Sequence, residues 1–307
     1  MQFSVPGDDT WREGKLVLEN ESLYFCSKEE SKHFFTRFLF FRKGEKIHNI
    51  VPVDRIRDVI REKSDRLTIK YSSTAQSPAR EQGSPLEQLL STHLSAAEHV
   101  LNEVERELVL RMDAYKFAIY FTTMKAADLL SMEKDLELEK GLLKIASEAL
   151  WIIGRESLKR IAGEDVVHVE QKKRSASQDT EYGAISIEYL DEGSAYTNVL
   201  STLAIAKGNT IAVLLRAALE LMNAYKLKEK LSKMENRILT MMYTGALDIA
   251  PSGLASAAQA TGLREEELKN HLEHLSELGI IDLANERLVK KGIKYAIALS
   301  KKSTSGG

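Results

Sequence analysis

A segment that occurs twice constrains this chain more than any other feature. Residues 14–25 read GKLVLENESLYF and residues 141–152 read GLLKIASEALWI, in register without a gap. Gly14 aligns with Gly141, Leu16 with Leu143, Leu18 with Ile145, Glu21 with Glu148, Leu23 with Leu150 and Tyr24 with Trp151. Apolar residues recur at i and i+2 on either side of a short polar stretch, the pattern of a two-stranded hairpin with one buried face. Copies this far apart argue for a duplicated domain, since solenoid repeats recur at periods of about 20–50 residues.

Two further phrases echo in the same order. Asp54-Arg55-Ile56 followed by Asp58-Val59 resembles Lys159-Arg160-Ile161 followed by Asp165-Val166, and LTIKY at 67–71 resembles ISIEY at 185–189. Residues 47–61 read as a strand, a polar corner at Asp54 and Arg55, and a second strand. Residues 115–121 (YKFAIYF) are expected to be the last strand of the first copy, followed by a helix over 124–136. In the second copy the last strand falls at 197–205, and Asn209 is the expected N-cap of the helix that follows. The first copy also carries an insertion at about 73–111. It starts as the loop-like SSTAQSPAREQGSP and continues from Pro85 as an expected amphipathic helix, with Ser84 as N-cap and Leu86, Leu89, Leu90, Leu94, Ala97, Val100, Leu101 and Val104 at helical spacing.

The remaining sequence has a different order. A helix is expected over 235–244, a short one over 253–260, a turn at Thr261-Gly262, a long helix over 264–278, and a β-hairpin over 280–299 turning near Asn285 and Glu286. Helix, short helix, turn, long helix and wing is the order of a winged helix-turn-helix. The chain of 307 residues is long enough for three such parts. The fold class is α+β: two tandem domains, each a curved antiparallel sheet plus a closing helix, at 1–134 and 135–232, then a winged-helix domain at 233–300 and a disordered tail at 301–307. The Gly-x-Leu-x-Leu strand, short turn and Leu-aromatic return strand resemble pleckstrin-homology domains, particularly the GRAM-like branch.

Charge and motif content narrow the function. With 43 basic and 45 acidic residues the net charge is −2, which disfavours a chain that grips polyanions through bulk charge. Cys26 is the only cysteine, so the chain has no internal disulfide, no thiolate zinc site and no CxxC redox pair. The first residues lack the basic flank and apolar run of a signal peptide, and no stretch approaches the ~20 apolar residues of a membrane span. A cytoplasmic protein without membrane insertion is expected. No G-x-S-x-G, P-loop, G-x-G-x-x-G or H-E-x-x-H occurs, so no enzymatic activity, catalytic residue or cofactor is expected. His271 and His274 stand three apart on the long helix, but the sequence signals no third ligand and no metal site is expected.

Three partner classes remain to be weighed. A pleckstrin-homology-like domain that binds phosphoinositides needs lysines and arginines around its first turn. The turns here read Glu19-Asn20-Glu21 and Ala146-Ser147-Glu148, which argues against a membrane-surface module. A winged helix that binds DNA needs a cationic recognition helix. The long helix buries Leu268, Leu272, Leu275 and Leu278 and leaves Glu266, Asn270, Glu273 and Glu277 on the opposite stripe, where carboxylates oppose phosphate. Lys290, Lys291 and Lys294 in the expected wing are what a DNA-binding transcriptional regulator would have to use. The stripe, with His274 beside it, reads instead as a surface for another protein. The run KHFFTRFLFFRK, with Phe34, Phe35, Phe38, Phe40 and Phe41, reads as a doubly buried strand or an interface. Phe34, Phe38, Phe40 and Phe41 are the candidate contacts with a second copy of the chain or with another partner.

The order of parts, carried by GKLVLENESLYF, VPVDRIRDV, its echo ESLKRIAGEDV and the module from MENRILTMMYTG to LEHLSELGIID, resembles the archaeal taxis protein CheF family. That resemblance implies a non-enzymatic, homodimeric adaptor without a cofactor. It would bind the phosphorylated response regulator CheY and contact the cytoplasmic switch complex of the archaellum, coupling chemotactic signalling to motor reversal. Glu266, Asn270, Glu273, His274 and Glu277 are then the expected contact with the regulator.

Overall fold

The structure, a computed structural model, describes residues 1–28, 45–73, 88–126, 137–172, 182–192, 197–226, 228–250 and 252–304. The Phe-rich run with Phe34, Phe38, Phe40 and Phe41 lies outside the described residues, as does Ser84. Within them, the chain is a mixed α+β protein with two antiparallel seven-stranded sheets and six α-helices.

The first sheet is built from β1 (Gln2–Val5), β2 (Asp8–Glu19), β3 (Ser22–Lys28), β4 (Glu45–Pro52), β5 (Ile56–Lys63), β6 (Arg66–Ser73) and β7 (Gln88–Ser95), in the order β4-β3-β2-β1-β7-β6-β5, and is followed by helix α1 (Glu98–Arg111). The second contains β8 (Tyr115–Lys125), β9 (Glu139–Ile145), β10 (Ala149–Ile153), β11 (Leu158–Ala162), β12 (Val166–Lys172), β13 (Tyr182–Glu192) and β14 (Thr197–Lys207), in the order β11-β10-β9-β8-β14-β13-β12, followed by α2 (Gly208–Ala224). The two orders are the same once seven is added to each strand number.

Strand register carries the duplication down to single residues. Ile56 pairs with Tyr71, Val59 with Ile69 and Arg61 with Leu67, while Val166 pairs with Tyr189, Val169 with Ile187 and Gln171 with Ile185. A bulge interrupts both pairings at the same place, between Ile56 and Asp58 and between Val166 and His168. Phe3 opposes Leu94 in one sheet as Phe121 opposes Ala204 in the other. In the hairpins, Leu18 faces Leu23 as Ile145 faces Leu150. The first turn places Asn20 and Glu21 at φ 46° and 56°, the left-handed pair that a two-residue hairpin turn of type I′ requires.

The structure corrects five expectations. Residues 88–95 (QLLSTHLS) are not helical: they form β7, bonded to β1 on one side and β6 on the other. Thr92 and Leu94 alternate into the core, a period of two that the leucines at helical spacing disguised. Among the described residues of the supposed insertion only Glu98–Arg111 is α-helix, and it matches α2 instead of lacking a counterpart. Residues 115–121 are therefore the first strand of the second repeat, and Met124 and Lys125 continue that strand. The counterpart of the 3-10 corner Val53–Arg55 is Gly163–Asp165, whereas Lys159, Arg160 and Ile161 lie on β11. Asn209 stands within α2, one residue past its start, with Lys207 at the N-cap.

The chain divides into two compact units, Met1–Phe117 with Leu142–Arg160 and Ala118–Gly141 with Ile161–Gly307. The first has a core of Phe3, Leu23, Phe25, Val51, Ile56, Leu67, Ile69 and Leu94, closed by Leu101, Leu108 and Val109 of α1 and by Trp151 of β10. Each fully buried side chain of this kind stabilises the fold by about 1.5–3 kcal/mol. Polar groups complete the closure. Lys144, 2% exposed, donates from Nζ to the carbonyls of Val109 (2.7 Å), Leu110 (3.2 Å) and Met112 (2.7 Å) at the C-terminal end of α1. Arg160 clasps Asp58, Nε to Oδ1 at 2.9 Å and Nη2 to Oδ2 at 2.5 Å, with Asp58 only 1% exposed.

In the second unit, α3 (Lys233–Tyr243), α4 (Leu254–Thr261) and α5 (Glu265–Glu277) enclose a core of Ile238, Leu239, Ala257, Leu268, Leu272, Leu275 and Ile280. Gly262 ends α4 at φ 75°, a backbone that disfavours any side chain. The hairpin turns where expected, but its strands β15 (Ile281–Asp282) and β16 (Arg287–Leu288) are two residues long. From Lys290 to Thr304 the chain is a sixth helix, α6, instead of a returning strand and tail. Its apolar face explains the difference: Ile293 and Ile297 pack on Val167, Leu190 and Val199.

Candidate partner-binding face

α5 begins after Arg264, whose backbone N–H donates to Glu267 Oε2 at 3.1 Å, and Glu265, Glu266 and Glu267 fill its first turn, where the helix dipole favours carboxylates. Leu268, Leu272 and Leu275 point inward at 3% exposure or less. Glu266, Asn270, Glu273 and Glu277 are all exposed, and their side chains make no hydrogen bond or ion pair among the described residues. Three carboxylates and an amide thus form a solvated stripe opposite the leucines, held in line by the packing of α5.

His274 is placed differently from that stripe. It is half exposed, but Nδ1 lies 2.7 Å from Glu235 Oε1 on α3, and His271 Nδ1 lies 3.6 Å from the same oxygen. Glu235 is buried at the N-terminus of α3. Its Oε2 accepts from the backbone N–H of Ser232 at 2.6 Å, and Ser232 Oγ accepts in return from Glu235 N at 3.1 Å. Burial alone would raise the pKa of Glu235. The hydrogen bonds from His274, Ser232 and His271 outweigh it and hold the carboxyl at about 2. His274 thereby joins α3 to α5. Glu235 is the group the two histidines face, supplied by a helix whose sequence gave no hint of the contact beyond the Ser-x-x-Glu capping pattern. Among the described residues no group of three or more His, Cys, Asp and Glu is placed to hold a metal ion.

The lysines expected in the wing lie on α6 and make internal contacts. Lys290 pairs with Asp165 at 2.5 Å, and Lys291 reaches Glu229 Oε1 at 2.6 Å and the carbonyl of Leu278 at 2.8 Å. Lys294, 7% exposed, donates to the carbonyls of Glu164 at 2.8 Å and Tyr225 at 3.3 Å, and burial lowers its pKa. Tyr295 OH donates to Glu229, 2.9 Å from both its carbonyl and Oε2. Lys291, the Glu229 backbone and Tyr295 together hold the Glu229 carboxyl at about 2. These contacts leave α5 with an acidic face and draw the nearby cations of α6 onto the 3-10 corner Gly163–Asp165, Tyr225 and Glu229.

No protein-family model matches this sequence, and comparison with curated proteins finds no match. Among the described residues no helix is long and apolar enough to cross a membrane.

Proposed function

We propose that this chain is a non-enzymatic signalling adaptor whose α5 face meets a basic surface on a partner protein. The observation that carries the reading is the stripe of Glu266, Asn270, Glu273 and Glu277, exposed and without internal partners among the described residues. Lys290, Lys291 and Lys294 are held by Asp165, Glu229 and backbone carbonyls, which weighs against their use on nucleic-acid phosphates. The twice-made meander with its closing helix supports a pair of pleckstrin-homology/GRAM-like domains. The order of α3, α4, α5 and a short hairpin supports a winged-helix module, extended here by α6.

The partner we propose is a response regulator of the CheY kind in its phosphorylated form, with the archaellum switch complex as the second contact of a homodimeric cytoplasmic adaptor. Phosphorylation shifts a regulator toward one conformation, and an adaptor that prefers that conformation converts phosphate status into occupancy at the motor. Binding of activated CheY to the full chain tests this. Lysine at Glu266, Glu273 and Glu277 together should abolish the interaction, and unchanged affinity for the triple variant would refute the assignment. Retention of duplex DNA by the wild-type chain at physiological salt would favour a transcriptional regulator instead.

A further inference from the structure

A cleft of about 350 Å³ opens in the first unit between α1, the end of β5 and the start of β11. That volume lies at the lower end of small-ligand sites, which span about 300–1,000 Å³. Its walls are charged, and most of the charge is already satisfied. Arg61 directs Nε (3.0 Å) and Nη2 (2.8 Å) to Glu105 Oε2, Nη2 also to Asn102 Oδ1 at 2.8 Å, and Nη1 to the carbonyl of Ser64 at 3.2 Å. Arg160 is fixed on Asp58 through Nε and Nη2.

What remains open defines the ligand. The planar fork of Arg160 leaves Nη1 on the side away from Asp58, without a partner among the described residues. The amide nitrogen of Asn102 is likewise open because its oxygen is turned to Arg61, and the carboxylate of Glu98, one helical turn earlier on α1, pairs with no cation among the described residues. Two open donors call for an acceptor such as a carboxylate. One uncompensated carboxylate calls for an ammonium. Ile60 and Leu158, both partly buried, add an apolar strip to the same cleft. Since the Arg61–Glu105 and Arg160–Asp58 pairs each sum to zero, Glu98 leaves the walls one negative charge in excess. A simple anion is therefore disfavoured and a zwitterion is matched.

We propose that this cleft binds a free amino acid with an apolar side chain, its carboxylate on Arg160 Nη1 and the Asn102 amide, its ammonium on Glu98, and its side chain against Ile60 and Leu158. The inference does not rest on the adaptor reading. Such a ligand would tie α1 to β11 and so make the closure of the first unit sensitive to it.

Isothermal titration of the full chain with L-leucine, L-isoleucine, L-valine and L-methionine tests the site. Isocaproate and isoamylamine serve as probes carrying only one of the two charges. Saturable one-to-one binding of at least one amino acid is expected, with both single-charge probes weaker by about tenfold or more, the loss of roughly one charge-assisted contact. Glu98→Gln and Asn102→Ala, both at exposed positions, should each weaken binding about tenfold while leaving the melting temperature in place. Glu103→Gln, an exposed carboxylate of α1 outside the cleft, should change nothing. Absence of saturable heat with all four amino acids at millimolar concentration would overturn the proposal. So would binding that ignores Glu98→Gln, or an amine that binds as tightly as the amino acid.

Discussion

The ammonium of Lys144 lies 2.7 Å from the carbonyl oxygen of Met112, so β9 supplies the cap of a helix 32 residues earlier in the chain. Val17 holds the equivalent place in the first repeat, where it opposes Tyr24 as Lys144 opposes Trp151. Burial lowers the Lys144 pKa to about 8, with the Lys116 charge acting in the same direction and Asp113 against it. Replacing Lys144 by methionine keeps the bulk and leaves the three carbonyls without their donor, at an expected cost of about 1–3 kcal/mol in urea unfolding.

That lysine also sets a pH dependence. Its folded pKa lies below the unfolded value of 10.5, so between about 8 and 10.5 the unfolded chain binds more protons and stability rises with pH. Below that window both states hold the proton and the slope vanishes. The wild-type chain should therefore gain stability from about pH 8 upward relative to Lys144→Met, and parallel profiles of the two proteins would contradict this.

Asp58, which is buried, and Arg160, which is partly exposed, form a bidentate pair, for which removal of the carboxylate alone costs more than replacement of both members by apolar side chains. Asp58→Ala should destabilise by about 3–5 kcal/mol because Arg160 stays in place without its counter-ion. The double variant Asp58→Met, Arg160→Leu should recover most of that loss. A double-mutant cycle by chemical denaturation measures the coupling, and additive losses would show that the pair is not coupled.

Gly14, the residue that begins the repeated segment, is required by close approach. A Cβ there would lie 2.1 Å from the carbonyl oxygen of Cys26 and 2.6 Å from Phe3 Cε1. Gly14→Ala should cost about 1–3 kcal/mol through displacement of β3 or of the Phe3 ring, and a melting curve that superimposes on wild type would show that the backbone yields freely.

Glu235 gives a pH dependence of the same sign as Lys144, in the acid range instead of the alkaline one. Its folded pKa of about 2 is below its unfolded value of 4.5, so its contribution is complete above pH 4.5 and is lost as pH falls toward 2. Glu235→Gln should flatten the acid limb of the stability curve over that window. It should also cost about 1–3 kcal/mol at neutral pH through the weakened capping box and His274 contact, both measurable by thermal unfolding.

Much of this arrangement was legible in the residues because it rests on local periodicity. The alternation in residues 14–25 and 141–152 located both hairpins, and LTIKY and ISIEY proved to be register-equivalent strands. The leucines of α5 placed Glu266, Glu273 and Glu277 on the outer stripe for the same reason. β7 was obscured because Leu86, Leu89, Leu90 and Leu94 satisfy a helical spacing, while its identity as a strand depends on bonding to β1 and β6, partners far away in sequence. α6 has the sequence pattern of a wing strand, and its partners Val167 and Leu190, which make it a helix, lie more than a hundred residues earlier. The Glu235 contact and the cleft around Arg160 likewise join residues with no shared local pattern.

The buried lysine at the end of α1 has a consequence for the order in which the protein becomes whole during synthesis. A nascent chain that has emerged only through residue 143 contains every strand of the first sheet and all of α1, yet the carbonyls of Val109, Leu110 and Met112 still lack their ammonium. The second helix repeats the situation, since Tyr225 waits for Lys294. Each sheet and its helix are thus completed by sequence that the ribosome delivers later, which makes folding of this chain progressive from the N-terminus and penalises truncation well downstream of the strands themselves.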